Sequence, residues 1–90
     1  MNMTKAMIKA EKERAAQFVQ ERNEALYSFD KEKILAFIEK WTPDAQVPKD
    51  DTVFWAGICK AICNINGVPE RVLNKAKKWL YKNGFSERIY

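Results

Sequence analysis

Apolar side chains recur every three or four positions in four separate stretches, and strict alternation is nearly absent, so the pattern predicts helices rather than strands. The first stretch predicts a helix over Thr4 to Tyr27, with Thr4 as candidate N-cap and Phe18, Val19, Ala25 and Leu26 on one face. Its middle, Lys9 to Arg14, consists of strong helix formers with no large apolar side chain. Lys9–Glu13 and Glu11–Arg14 sit there at salt-bridging offsets. Met3, Met7 and Ile8 form a separate apolar patch ahead of that charged segment. The second helix is predicted to start at Asp30, whose carboxylate suits an N-cap, with Phe29 and Ile34 placed as a hydrophobic staple. Ile34, Leu35, Ile38 and Trp41 form its inward stripe, and Thr42-Pro43 ends it.

Residues 42–50 carry two prolines and form the one substantial loop, predicted as a connector within one domain. After an Asp50-Asp51-Thr52 cap, the third helix is predicted from Val53 to Ile65. Phe54, Ile58, Ala61, Ile62 and Ile65 take one side; Trp55, Ala56, Cys59 and Cys63 continue around it. Only Gly57, Lys60 and Asn64 leave a bare or polar wedge, the pattern of a buried helix. Gly57 costs about 1 kcal/mol relative to alanine in a helix, so a close backbone approach, as by the first helix, is expected there. Asn66-Gly67 supplies a left-handed stop, and Pro69 opens a fourth helix that runs to about Asn83. Asn83-Gly84 closes it, with Phe85 placed to fold back onto Leu80. The expectation is an all-α single domain over residues 1–90: a small four-helix fold, its long N-terminal helix and three shorter helices packed around the third.

Length sharpens that expectation. A helix over Thr4 to Tyr27 spans roughly 36 Å, whereas a compact chain of 90 residues has a diameter of about 31 Å. The helix must break, or residues 1–14 must project or fray. A projecting charged helix is marginal by itself, which makes Met3, Met7 and Ile8 candidate contacts to a second copy or another protein. Residues 86–90 are expected as a loose tail.

Charge narrows the partner class. The net +4 is unevenly placed: residues 51–90 hold seven basic side chains against three acidic ones, while residues 1–30 and 31–50 are each balanced. Histidine is absent, which removes the commonest general base and metal ligand. No glycine-rich phosphate loop occurs, and no Ser–His or Cys–His nucleophile can be assembled. Cys59 and Cys63, at i and i+4, are expected as small buried hydrophobes rather than half of a metal site. Their expected reduced state, and an N-terminus without a signal-peptide pattern, predict a cytoplasmic, non-enzymatic protein. No cofactor, metal, small-molecule substrate or membrane contact is expected.

The candidate surface lies on the last helix. Arg71, Lys75, Lys78 and Lys82 fall within about 60° of one another at 100° per residue. Asn74, Lys77 and Tyr81 flank them, and Val72, Leu73, Ala76, Trp79 and Leu80 centre on the opposite side. The helix dipole and ordinary solvation account for such a row; binding of an anionic partner also accounts for it. Ile62, Cys63, Gly67, Val68 and Leu73 fit the spacing of a helix-turn-helix, offering Glu70, Arg71, Asn74 and Lys75 to base edges, although Glu70 would repel the phosphates. Trp79, at the edge of the row, is core by its spacing but could stack on a base.

The run Val53-Phe54-Trp55, Lys60-Ala61, Pro69, Lys78-Trp79-Leu80 and Gly84-Phe85 resembles small helical phage and prophage proteins of uncharacterised function. The resemblance implies a bacterial mobile-element setting, in which small proteins act as inhibitors, regulators or assembly adaptors. It carries over no functional residues. The functional expectation is a non-catalytic interaction protein with a protein partner or a second copy of itself, and the alternative is a small DNA-binding regulator using residues 62–82.

Overall fold

A computed structural model describes residues 5–88, with side chains from residue 10 onward. Among the described residues there are four α-helices and no strand, the all-α class that the periodicity predicts. They are α1 (Lys5–Tyr27), α2 (Lys31–Trp41), α3 (Asp51–Cys63) and α4 (Glu70–Lys82). The chain divides into two compact units, Met1–Ala45 and Gln46–Tyr90; α1 packs with α2 in the first, and α3 with α4 in the second. The division falls inside the loop expected to be an intradomain connector. Every residue from Thr42 to Asp50 is exposed, so this loop adds nothing to either core.

In the first unit, α1 is one unbroken helix of 23 residues, about 34 Å long, whereas α2 has 11 residues and spans about 16 Å. The shorter helix can cover less than half of the longer one. Ala10 to Gln17 are accordingly all exposed, and burial begins at Phe18. Met3 lies outside the described residues, as do the side chains of Met7 and Ile8. The core is Ala25, Leu26 and Ile34, extended by an aromatic cluster. Phe18 lies 5.5 Å from Phe37 and meets Trp41 edge-on at 5.3 Å. Val19, expected on the inward face, is 43% exposed. It sits 100° round the helix from Phe18, beyond the reach of a single short partner.

The joint between α1 and α2 needs a left-handed residue, and Phe29 supplies it with φ +53°. The Ser28 hydroxyl braces the turn, donating to the Ala25 carbonyl at 2.6 Å and accepting from the Asp30 amide at 3.1 Å. Asp30 then caps α2 as expected, accepting from the amides of Glu32 and Lys33.

The second unit has the fuller core. Phe54, Ala56, Cys59 and Ile62 of α3 and Val72, Ala76 and Leu80 of α4 are buried. Asp50 caps α3 by accepting from the Val53 amide at 3.0 Å, so the helix begins and ends two residues earlier than predicted. Its exposed wedge is Val53, Gly57 and Asn64, while Lys60 is half-buried. The expected close approach at Gly57 is not found: a β-carbon there would have nothing within 4 Å. Gly57 is therefore a propensity cost without a packing return.

Gly67 and Gly84 both take left-handed backbone, φ +80° and +79°, at the two stops where the sequence requires it. Pro69 is the N-cap of α4 rather than its first helical residue, because its ψ of 138° is extended. At the other end the Phe85 amide donates to the Leu80 carbonyl at 2.8 Å and the Gly84 amide to Tyr81 at 3.2 Å. These paired bonds form a Schellman motif that turns the chain back along the helix.

Candidate functional site

The periodicity of α4 sorts its side chains cleanly. Val72, Ala76 and Leu80 point into the unit, so the opposite side must face water. Arg71, Asn74, Lys75, Lys78 and Lys82 are all exposed there, as expected from the sequence. Two acids lie near this face. Glu70 opens the helix, where its charge suits the positive end of the helix dipole. Glu87 accepts from the Tyr81 hydroxyl and lies 3.7 Å from Lys77 Nζ, on the flank of the row rather than within it.

The Glu87 contacts revise the picture of the C-terminal segment. Residues 86–88, part of the expected loose tail, follow the Schellman turn back onto the unit. Asn64 Nδ2 donates to the Glu87 carbonyl at 3.1 Å. Phe85 stacks on Trp79 with centroids 6.0 Å apart and planes 16° from parallel. Lys60 Nζ sits 5.6 Å from the centre of the same phenyl ring. Trp79, the side chain that could meet a base, thus already has a ring against it. Sequence reasoning placed Tyr81 only on the flank of the row and missed Lys60, Asn64 and Glu87, because the Gly84 turn brings Phe85 and Glu87 back onto residues more than twenty positions earlier in α3 and its cap.

The helix-turn-helix spacing is only partly realised. Ile62 is fully buried, Gly67 is left-handed, and Cys63, Val68 and Leu73 are half-buried. Six residues, 64–69, separate Cys63 from Glu70, however, which exceeds the three or four of a helix-turn-helix.

Burial sets the chemistry of the thiols. It pushes the Cys59 thiol up to about 11, with Cys63 adding to the effect. The Cys63 thiol is also raised, mainly by burial and then by the Glu87 charge, against an opposing pull from Lys77. Both therefore stay protonated at neutral pH, the opposite of an activated nucleophile or metal ligand. Among the described residues, no three Cys, Asp or Glu side chains gather as a metal site. None of the described helices is long and apolar enough to cross a membrane.

In the first unit, Lys40 Nζ donates to Glu21 Oε1 at 2.6 Å, and the Arg14 guanidinium lies 5.3 Å from the Trp41 ring centre. Phe18, Val19, Ala15 and Trp41, with Glu11 and Arg14 at the rim, line a shallow hollow of about 380 Å³. Compared with family models, curated proteins and solved structures, the chain matches none.

Proposed function

We propose that this chain is a non-catalytic interaction protein that meets an anionic partner, duplex nucleic acid, through the outer face of α4. One observation carries the reading: Arg71, Asn74, Lys75, Lys78 and Lys82 are exposed together on a helix whose other side is buried. The charge balance supports it, since the second unit has eight basic side chains against four acidic ones. A row of cations on a rigid helix places charge against a phosphate backbone without reading bases. The six-residue α3–α4 connection favours that mode over base readout by a helix-turn-helix. Absence of histidine and the protonated state of both thiols support a non-catalytic role. The proposed setting is the cytoplasm of a bacterial host of mobile elements, as the phage-protein resemblance implies.

Titration with duplex DNA at two salt concentrations tests the reading. Four neutralised charges give a log–log salt slope of about −3.6. The Lys78→Glu/Lys82→Glu variant should abolish binding and keep its helical circular dichroism, since both side chains are exposed. No binding by the wild type at about 50 mM salt, a condition in which phosphate contacts are strong, removes the proposal.

A second reading, self-association, rests on α1. Its residues Ala10–Gln17 extend past α2 as exposed helix, and a charged helical segment of that length is marginal alone. Sedimentation of the wild type against Met7→Glu/Ile8→Glu tests it: a wild-type dimer that the variant dissociates supports it, and a monomeric wild type ends it.

A further inference from the structure

We propose that Phe85 and Glu87 occupy a binding site for single-stranded nucleic acid on the second unit, with the phenyl ring standing where a base would stack and the carboxylate where a phosphate would sit. The side chains that hold this segment are the kind that hold a strand. An indole (Trp79) faces the phenyl ring nearly parallel, and an ammonium (Lys60) lies over that ring. A phenol hydroxyl (Tyr81) and a second ammonium (Lys77) hold the carboxylate, and a carboxamide (Asn64) donates to a carbonyl. Aromatic platforms flanked by cations are the general solution for single strands, because every base has a π face and every linkage a phosphate. Phe85 and Glu87 are two residues apart, at most about 7 Å of chain. Ring and anion are thus presented close together on a short backbone, as a nucleotide presents them.

Three features separate this arrangement from ordinary tail packing. The Glu87 carboxylate meets a hydroxyl donor, Tyr81, and a cation, Lys77, together. Tyr81 is 61% exposed, so its hydroxyl can meet a ligand once Glu87 leaves. The Schellman turn is built from the backbone of Leu80, Tyr81, Gly84 and Phe85, so the Phe85 ring can swing off Trp79 by side-chain rotation and residues 86–88 can lift while α4 stays capped. The segment then acts as an internal competitor: the apparent dissociation constant is the intrinsic one divided by the open fraction.

The site lies on the Lys77–Tyr81 flank and the Trp79 edge of α4, outside the Arg71–Lys82 row, and does not rest on the duplex-binding reading. The probe is a short fluorescein-labelled oligodeoxythymidylate, followed by anisotropy with the full chain. Phe85→Ser/Glu87→Gln should tighten binding, by about tenfold if the wild-type segment is seated nine-tenths of the time. Adding Tyr81→Phe or Lys77→Gln to that variant should remove most of the gain. Glu70→Gln adds the same unit of net charge at the far end of α4 and should not reproduce it. The gain should persist when Lys78→Gln/Lys82→Gln has abolished duplex binding, which separates failure of the row from failure of this site. An open variant that binds no tighter than wild type, although still helical, overturns the proposal. So does an equal gain from Glu70→Gln, or loss of the gain with the row alone.

Discussion

The α1–α2 unit is closed by rings that stay half-buried, and the α3–α4 unit by a sealed, mainly aliphatic layer that includes one ring, Phe54, and a thiol. In the first, Phe18 meets both Phe37 and Trp41 while all three stay half-buried, and among the described residues only Ala25, Leu26 and Ile34 are sealed. In the second, seven side chains are buried, with Cys59, Ile62, Ala76 and Leu80 at zero exposure. Charge divides along the same line. The first unit holds eight basic and eight acidic side chains, and the second holds eight and four. Two helices of unequal length can seal only the overlap, so large rings that tolerate one wet edge suit the first unit. Two helices of 13 residues each can seal small aliphatic layers along their length, which leaves the outer side of α4 free to carry charge of one sign.

The largest expected effect tests that contrast directly. Ile62→Ala removes a fully buried side chain from a sealed layer and should cost about 2–5 kcal/mol. Phe37→Ala removes a larger side chain from a half-wet cluster, and water can occupy part of the space. Urea unfolding of both variants should show the smaller isoleucine to be the costlier loss. Equal or reversed costs would mean that the aromatic cluster is as well sealed as the aliphatic one.

Alkaline pH provides the next effect, confined to the second unit. Cys59 is held protonated by burial, its pKa raised to about 11 from an ordinary 9.0. The folded state therefore binds its proton more tightly than the unfolded state. That contribution is whole below pH 9 and is lost as pH rises toward 11, on the order of 2 kcal/mol in all. Cys59→Ala should lower stability at neutral pH through its cavity, yet flatten the alkaline decline. A decline of unchanged steepness in Cys59→Ala would place its origin elsewhere, with Tyr81 the next candidate, since Glu87 also raises its pKa.

Glycine gives opposite signs for one substitution within the second unit. Gly57→Ala, at an exposed helical position with open space around it, should stabilise by about 1 kcal/mol. That corresponds to a rise of about 4–8 °C in Tm for a domain of this size. Gly67→Ala must force a β-carbon into left-handed backbone and should destabilise by about 1–2 kcal/mol. Calorimetry of the pair decides it; a loss on Gly57→Ala would restore the packing role expected from the sequence.

The course of these glycines shows what was legible in the chain. Gly67 and Gly84 were readable because a stop after an apolar run needs left-handed backbone whatever surrounds it. Gly57 was misread because its justification would have been tertiary, and no periodicity reports a neighbour. The same boundary separates the basic row from the site beside it. Arg71 to Lys82 follow from 100° steps along one helix. The meeting of Lys60, Asn64 and Tyr81 with Phe85 and Glu87 depends on how the chain turns at Gly84 and where α3 then lies. Val19 was misplaced for a related reason: a helical stripe gives a direction, and the width of the partner decides how much of it is covered.

The smallest effect belongs to the first unit and asks whether its balanced charges do anything together. Glu21 accepts from Lys40 at 2.6 Å, and that bond holds its carboxyl below the ordinary value; Gln17, the Trp41 indole N–H and the Lys40 charge act in the same direction, against burial. Glu21 Oε2 and Trp41 Nε1 are both shielded from water without a well-formed bond. A lowered carboxyl pKa means that the folded state prefers the ion. Its contribution is present above the unfolded pKa and is lost as pH falls through the folded one. Glu21→Gln should therefore lower the neutral-pH midpoint slightly and make the acid limb of the first unit shallower, read by Trp41 fluorescence in a Trp55→Phe/Trp79→Phe background. Lys40→Met should flatten the same limb, because without its main support the folded carboxyl pKa returns toward the unfolded one. If neither variant moves the acid limb, the pair is solvated surface, and charge in this molecule matters only on the outer side of α4.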